Sequence, residues 1–107
     1  MKTPGQIKLA QRAETFRAVC QRYGTTPEAV TRHDKSESAT ARRYEIWLDL
    51  WVGTDWPLAT LARLVRRHHA TVVYGIRRAS MARYGTGERV SLAEVREAAG
   101  AKVEVAA

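Results

Sequence analysis

The chain has 107 residues, of which 45% are hydrophobic, and it carries a formal charge of +7. This hydrophobic content is enough for one domain with a modest core, and it excludes a chain that is disordered throughout. A membrane span is excluded because the most apolar stretch, residues 46–52, is short and contains Asp49. The first 14 residues hold no apolar run of the signal-peptide type, so we expect a cytoplasmic protein.

The first helix is predicted to begin at Thr3 and Pro4 and to end at Gly24. Apolar residues recur along it at helical spacing and define a predicted inward stripe. The stripe consists of Ile7, Ala10, Ala13, Phe16, Val19, Cys20 and Tyr23.

A short second helix and a long third helix follow. The segment 25–28 predicts a capped start for a helix that ends at Val30, and residues 31–37 are polar and predict a loop. The third helix is expected over residues 38–52 and is the candidate central helix of the core. Its apolar side consists of Ile46, Trp47, Leu50 and Trp51, widened by Tyr44 and Leu48.

Three further helices are predicted in the second half of the chain. A fourth helix covers residues 57–65, and the connection 66–68 leads into a fifth helix over residues 69–83. A sixth helix over 91–99 begins at a serine with a glutamate three residues later, which is a capping box. We expect residues 101–107 to be frayed. No segment alternates at period two, so the fold class is all-α with five to six helices.

Positive charge is unevenly distributed along the chain. Residues 1–87 hold 15 basic and 7 acidic side chains, whereas residues 88–107 hold 3 basic and 4 acidic side chains. The segment 61–84 contains six arginines and no acidic residue. Such a field attracts polyanions, and arginine favours bidentate recognition of phosphates and base edges. We therefore expect a nucleic-acid partner, with an acidic protein partner or a merely solvated face as the alternatives.

The fourth and fifth helices have the lengths and the short connection of a helix-turn-helix. The second helix of such a pair lies in the major groove of DNA and presents its N-terminal residues to base edges. On the fifth helix, the predicted inward residues are Val72, Val73, Ile76 and Ala79. The predicted outward residues are polar enough to read a groove and comprise Ala70, Thr71, Tyr74, Arg78 and Met81, with Arg77 at the flank.

The segment from Arg67 to Arg78, Arg-His-His-Ala-Thr-Val-Val-Tyr-Gly-Ile-Arg-Arg, resembles a known signature. It is similar to the motif Gly-Gly-Arg-Asp-His-Thr-Thr-Val-x-His-Ala of the C-terminal DNA-binding domain of the bacterial replication initiator DnaA. Residues 19–30 resemble that domain's opening helices, and Ala41-Arg42-Arg43 resembles the start of its long helix. The first helix of that domain's helix-turn-helix is similar to the segment that contains Leu58, Leu61, Arg63 and Leu64.

The resemblance covers about residues 10 to 83 and implies a Trp-repressor-like helix-turn-helix domain that binds duplex DNA. No Gly-x-x-x-x-Gly-Lys-Ser/Thr loop is present, so the ATPase module of the initiator is not predicted. We expect a stand-alone relative of one domain, a type that occurs on phages and mobile elements.

Several reading positions depart from the DnaA signature. His68 stands where the family has Asp, Ala70 replaces a Thr, and Tyr74 replaces a His. Arg66 replaces one glycine of the turn, and the other glycine has no counterpart. Because each base contact changes discrimination by about 1–3 kcal/mol, the initiator's own DNA element is not assigned to this chain.

Candidate contacts follow from these positions. We expect His69 and Thr71 to contact bases, and Arg67 a base or a phosphate, while Tyr74 either touches a thymine methyl or a phosphate or packs on a neighbouring helix. His68 or Thr71 could instead only cap the helix end. Phosphate contacts are assigned to Arg77 and Arg78, and to Arg42 and Arg43 at the start of the third helix, where a solvated cap is the alternative. Arg63 and Arg66 either flank the groove or are simply exposed. The candidate DNA-binding residues are Arg42, Arg43, Arg66, Arg67, His68, His69, Thr71, Tyr74, Arg77 and Arg78.

Other features of the sequence give weaker indications of function. Arg32 and Lys35 on the loop before the third helix are weaker candidates for phosphate contacts. Trp47 and Trp51 have the spacing of core residues rather than of a base-stacking platform. The three histidines lack the spacing of metal ligands, and Cys20 on the inward stripe predicts a structural thiol. We therefore expect no metal, no cofactor and no catalysis.

The sequence predicts a helix-turn-helix protein that binds double-stranded DNA, in a sequence-specific manner, in transcription regulation or replication control. Residues 1–87 form the predicted DNA-binding domain, and residues 88–107 a C-terminal helical extension and tail. The last helix either pairs two subunits through residues 91–99 or folds back on the core. The alternatives are a protein-interaction module that binds an acidic partner through the last helix, and RNA binding, which is disfavoured because the aromatic residues lie on helices.

Overall fold

The computed structural model describes residues 2–106, with side chains up to residue 100, and its regular structure over that span is helical. The six helices are α1 (Pro4–Arg22), α2 (Pro27–Thr31), α3 (Glu37–Gly53), α4 (Leu58–Val65), α5 (His69–Tyr84) and α6 (Leu92–Ala106). The predicted all-α fold class is therefore confirmed. One boundary differs clearly, because α6 extends to Ala106 where the sequence predicts an end near residue 99.

Local capping explains why most helix starts are where the sequence places them. Thr3 Oγ1 accepts a hydrogen bond from the Gln6 N–H at 3.2 Å, and Gln6 Oε1 accepts one from the Thr3 N–H at 2.9 Å. Ser91 Oγ accepts from the Glu94 N–H at 3.1 Å at the start of α6. Each of these bonds satisfies an N–H group that the helix itself leaves without a partner.

The core is built around α3, which packs against α1, α4, α5 and α6. Its fully buried side chains include Ile46, Leu48 and Leu50, together with the nearly buried Trp47. The closest approach is to α5 at Gly75. A Cβ atom at this position would lie 2.6 Å from Tyr44 Cδ1 and 2.6 Å from Trp47 Cε3. Glycine therefore lets α5 pack directly on two aromatic rings of α3.

The predicted inward stripe of α1 is correct only in the second half of the helix. Phe16, Val19 and Cys20 are buried against the core. Ile7 is 45% exposed, and Ala10 and Ala13 are exposed as well, so their assignment to the core was wrong. The reason is length, because a helix of 19 residues spans about 28 Å and extends beyond a core of this size.

The last helix folds back onto the core. Val95 is fully buried, and Trp51 Nε1 donates a hydrogen bond to the Leu92 carbonyl at 2.9 Å. The Arg96 guanidinium lies 3.4 Å from the centroid of the Trp51 ring and donates to the Trp51 and Trp56 carbonyls. Residues 90–99 thus share one core with the preceding helices, as the fold-back alternative predicts.

Candidate nucleic-acid interface

The α4–α5 pair is joined by a three-residue turn whose geometry is set at Arg66. This residue ends α4 in the left-handed region, with φ 58° and ψ 47°. The Arg67 N–H donates to the Ala62 carbonyl at 3.1 Å and the Arg66 N–H to the Arg63 carbonyl at 3.3 Å. This is the Schellman pattern, in which glycine is usual at the left-handed position. An arginine here places a cation at the tightest point of the turn.

His68 caps the start of α5. Its Nδ1 accepts a hydrogen bond from the Ala70 N–H at 3.2 Å, which satisfies a free amide of the first turn. The imidazole rings of His68 and His69 lie 4.2 Å apart, centroid to centroid, and both residues are exposed. His68 therefore has a structural role of its own, in addition to its place at the predicted reading end of α5.

Of the predicted outward residues of α5, Ala70, Thr71, Tyr74 and Arg78 are exposed, whereas Met81 is half-buried. His69 at the start of the helix is exposed too, and Tyr74 is 55% exposed. The Tyr74 ring stands edge-on to the half-buried Tyr44 ring, with centroids 6.0 Å apart and planes at 82°. Tyr74 therefore packs in part on the neighbouring helix α3, which was one of the predicted alternatives, and it remains largely exposed.

Arg67, for which the sequence predicts a base or phosphate contact, is half-buried and bonded to backbone carbonyls. Its NH1 donates to the Thr31 carbonyl at 2.9 Å and to the Arg66 carbonyl at 3.2 Å, and its NH2 donates to the Arg32 carbonyl at 2.7 Å. Burial, and then the nearby charge of Arg43, lowers the pKa of the Arg67 guanidinium. The side chain joins the α4–α5 turn to the loop between α2 and α3.

Arg43 also donates hydrogen bonds to the end of α2 and to the loop that follows it. Its Nε donates to the Val30 carbonyl at 3.3 Å, and its NH2 donates to the Arg32 carbonyl at 3.2 Å and to the Asp34 carbonyl at 2.8 Å. By contrast, the preceding Arg42 is exposed. Of the two arginines predicted to meet phosphates at the start of α3, only Arg42 therefore presents a side chain to solvent.

Two further arginines of the basic segment 61–84 are used inside the molecule. Arg77 Nε donates to the Val90 carbonyl at 2.8 Å and so lies at the connection between α5 and α6. Arg83 forms ion pairs with Glu45 and Asp49 of α3. The sequence shows no acid near this segment, but the fold brings two carboxylates to it and neutralises part of its charge.

A groove of about 600 Å³ runs between the start of α3 and α5. Its lining includes the cations Lys35 and Arg78 and the aromatic ring of Tyr44. Two carboxylates also line it, those of Glu37 and of Glu45, which forms an ion pair with Arg83. The exposed cations of the α2–α3 loop, the start of α3, the α4–α5 turn and α5 are Arg32, Lys35, Arg42, Arg66 and Arg78, of which Lys35 and Arg78 line the groove. The candidate interface consists of these cations and of the exposed α5 residues His69, Thr71 and Tyr74.

Comparison with family models, curated proteins and solved structures finds no match for this chain. Similarity to the DnaA domain accordingly stays a prediction from the sequence motifs. Within residues 2–106, no helix is long and apolar enough to cross a bilayer. Among the side chains of residues 2–100, no three His, Cys, Asp or Glu are grouped so that they could hold a metal ion.

Proposed function

We propose that this protein binds duplex DNA, with α4 and α5 acting as a helix-turn-helix and α5 entering the major groove. One observation carries the proposal: α5 is buried through Val72 and Ile76, and its exposed side carries an imidazole, a hydroxyl, a phenol and a guanidinium, with no acidic residue between His69 and Tyr84. A solvated helix face is polar as well but ordinarily mixes both signs of charge, so the purely cationic character of this face favours an anionic ligand. The major groove, about 12 Å wide, admits a helix with such a face.

Base contacts are assigned to the N-terminal turns of α5. His69 and Thr71 lie where the recognition helix of a helix-turn-helix meets base edges. Tyr74, one turn further on, offers a ring to a thymine methyl and a hydroxyl to a phosphate. Arg78 follows at the next turn of the same face, with a guanidinium that is free of ion pairs within the described residues.

Phosphate contacts are assigned to the exposed cations around this helix, with Arg42 and Arg66 foremost. Arg66 stands at the turn itself, and Arg42 lies in the second turn of α3. If each of the five exposed cations of the interface neutralises one phosphate, log K falls with log salt at a slope of about −4.5. Such a slope distinguishes a duplex-binding surface from a basic face that is merely solvated, because a merely solvated face does not bind duplex DNA.

The biological role that fits such a protein is control of transcription or of replication. The motif similarity to the DnaA DNA-binding domain supports this, because that domain uses the corresponding helix to read DNA. The replaced positions at His68, Ala70 and Tyr74 favour a DNA site different from the initiator's own element. Selection of bound duplexes from a random pool would identify that site.

The experiment that tests the proposal is fluorescence anisotropy with the selected duplex and with a scrambled duplex. Thr71→Ala is expected to weaken binding to the selected duplex by about 1–3 kcal/mol, with little effect on the scrambled one. Arg78→Gln is expected to weaken binding to both and to reduce the salt slope by about 1 if it binds phosphate. Arg89→Gln is the matched control, because it removes an exposed arginine beyond the far end of α5.

Unchanged affinity in both Thr71→Ala and Arg78→Gln would exclude α5 as the reading helix. A loss in Arg89→Gln as large as in Arg78→Gln would show that binding follows net charge rather than this surface. In either case the helix-turn-helix assignment would have to be abandoned.

A second candidate function is the docking of an acidic protein segment on the first half of α1. Leu9 is 64% exposed and Ile7 is 45% exposed, and both lie among the cations Lys8 and Arg12. Exposed apolar side chains beside cations suit an amphipathic partner of the opposite sign, although Asp55 lies close to Lys8 and Arg12. Substitution of both Leu9 and Ile7 by serine leaves DNA binding intact if the two functions are separate.

A further inference from the structure

Two arginines from different elements converge on one loop. Arg43 of α3 and Arg67 of the α4–α5 turn both donate to the carbonyl of Arg32, at 3.2 Å and 2.7 Å. Their remaining hydrogen bonds go to the carbonyls of residues 30, 31, 34 and 66. The backbone of this loop therefore turns its carbonyl oxygens inward, towards two cations.

Neither guanidinium has a carboxylate as partner within residues 2–100. Two like charges are held near each other at a partly buried position, which costs free energy unless other groups compensate. Here the compensation comes from carbonyl dipoles at the end of α2, in the loop and in the turn, and from the nearby carboxylate of Asp34. Hydrogen bonds from Ser36, and then the charge of Arg43, lower the pKa of this carboxylate. Arg67 donates three hydrogen bonds to these carbonyls. A bidentate contact with a phosphate or a guanine therefore requires that some of these bonds break.

The loop that these arginines hold carries cations of its own. Arg32, His33 and Lys35 are all exposed, and Lys35 also lines the groove against α5. Because Arg67 immediately precedes His68, the same side chain fixes the loop and the first residues of α5 relative to each other. A shift of the loop thus displaces the turn, and a shift of the turn displaces the loop.

We propose that Arg67 and Arg43 are positioning residues of the DNA interface: they clamp the 32–36 loop to the α4–α5 turn and do not themselves contact DNA. This inference rests on the proposed duplex-binding function and reassigns two residues that the sequence placed in direct contact. The clamp presets the spacing between the loop cations and the reading end of α5. A rigid, preformed site binds more tightly than one that must be ordered on binding.

The test uses charge-conserving variants of the full chain. Lysine keeps the charge of arginine but lacks the planar fork that donates to several carbonyls at once. Arg67→Lys is therefore expected to weaken binding of the selected duplex about as much as Arg67→Gln does, by about tenfold, a loss in the range for one or two contacts. Arg89→Lys is the matched control: it makes the same change at an exposed arginine beyond the far end of α5, and it is expected to bind the selected duplex as tightly as the wild type.

A second measurement reports the clamp without DNA. In the free protein, backbone order parameters of residues 32–36 are expected to fall in Arg67→Lys and Arg43→Lys, while those of α5 stay unchanged. The double variant Arg43→Lys/Arg67→Lys is expected to lose little more affinity than either single variant, because both side chains act through one loop.

The outcomes separate the two proposals. If the wild type fails to bind duplex DNA, the proposed function fails, and the positioning role fails with it. If the wild type binds and Arg67→Lys binds equally well, while Arg67→Gln is weaker with a salt slope reduced by about 1, Arg67 contacts a phosphate directly and only the positioning role is overturned. Unchanged order parameters in the lysine variants would also overturn it.

Discussion

Replacement of Gly75 by alanine tests the packing on which the orientation of α5 depends. The new Cβ would lie 2.6 Å from Tyr44 Cδ1 and from Trp47 Cε3, whereas carbon atoms in contact are normally about 3.5–4.0 Å apart. Both rings must therefore move by about 1 Å, at an overpacking cost of about 3 kcal/mol, the upper end of the usual range. Alanine is about 1 kcal/mol better than glycine in a helix interior. We therefore expect Gly75→Ala to lower the free energy of unfolding by about 2 kcal/mol.

Thermal and urea unfolding followed by circular dichroism measure this difference. In a domain of this size, a loss of about 2 kcal/mol lowers Tm by about 8–16 °C. Gly100→Ala is the matched control, since no atom lies within 4 Å of a Cβ built on that helical glycine. It is expected to raise Tm by several degrees through helix propensity alone. A Gly75→Ala protein as stable as the wild type would refute the close approach of α5 to α3.

Three further variants or measurements test separate parts of the structure. Arg66→Gly relieves a left-handed backbone and is expected to raise the free energy of unfolding by about 1 kcal/mol in urea while weakening duplex binding; a loss of stability would contradict the turn geometry. Arg96→Met removes the contact with Trp51 and is expected to cost about 1–3 kcal/mol of stability, whereas Arg89→Met should stay within about 0.5 kcal/mol. Burial raises the pKa of the Cys20 thiol from 9.0 to about 11, so its contribution to stability is complete below pH 9 and is lost as the pH rises to about 11. Thiol-reagent labelling at pH 8 should therefore follow unfolding, and rapid labelling of the folded protein would contradict the burial of Cys20.

Much of the helical framework could be predicted because its signals are local. Thr3 with Gln6 and Ser91 with Glu94 fix helix starts through contacts three residues apart, which a sequence displays directly. The inward stripe of α5 also follows from spacing, as Val72 and Ile76 are buried and Thr71 is exposed. The same apolar spacing predicts burial wrongly where a helix extends beyond the core, as it does at Ile7.

The candidate site could be predicted only in outline. A run of arginines shows where charge lies along the chain, but the partner of each guanidinium comes from a distant segment. Arg83 meets Asp49, 34 residues away, and Arg67 meets the Thr31 carbonyl, 36 residues away. Backbone carbonyl acceptors leave no trace in the sequence, because every residue has one. Gly75 was missed for a related reason, since its role depends on two rings of α3.

The central claim, that duplex DNA binds along the free face of α5, is tested most directly by an NMR titration of the isotopically labelled protein with the selected duplex. The largest shift changes are expected at His69, Thr71, Tyr74 and Arg78, with smaller ones at Arg42 and in the 32–36 loop. Changes confined to α1 or α6, or no change at the α5 face when the duplex is in excess, would contradict it.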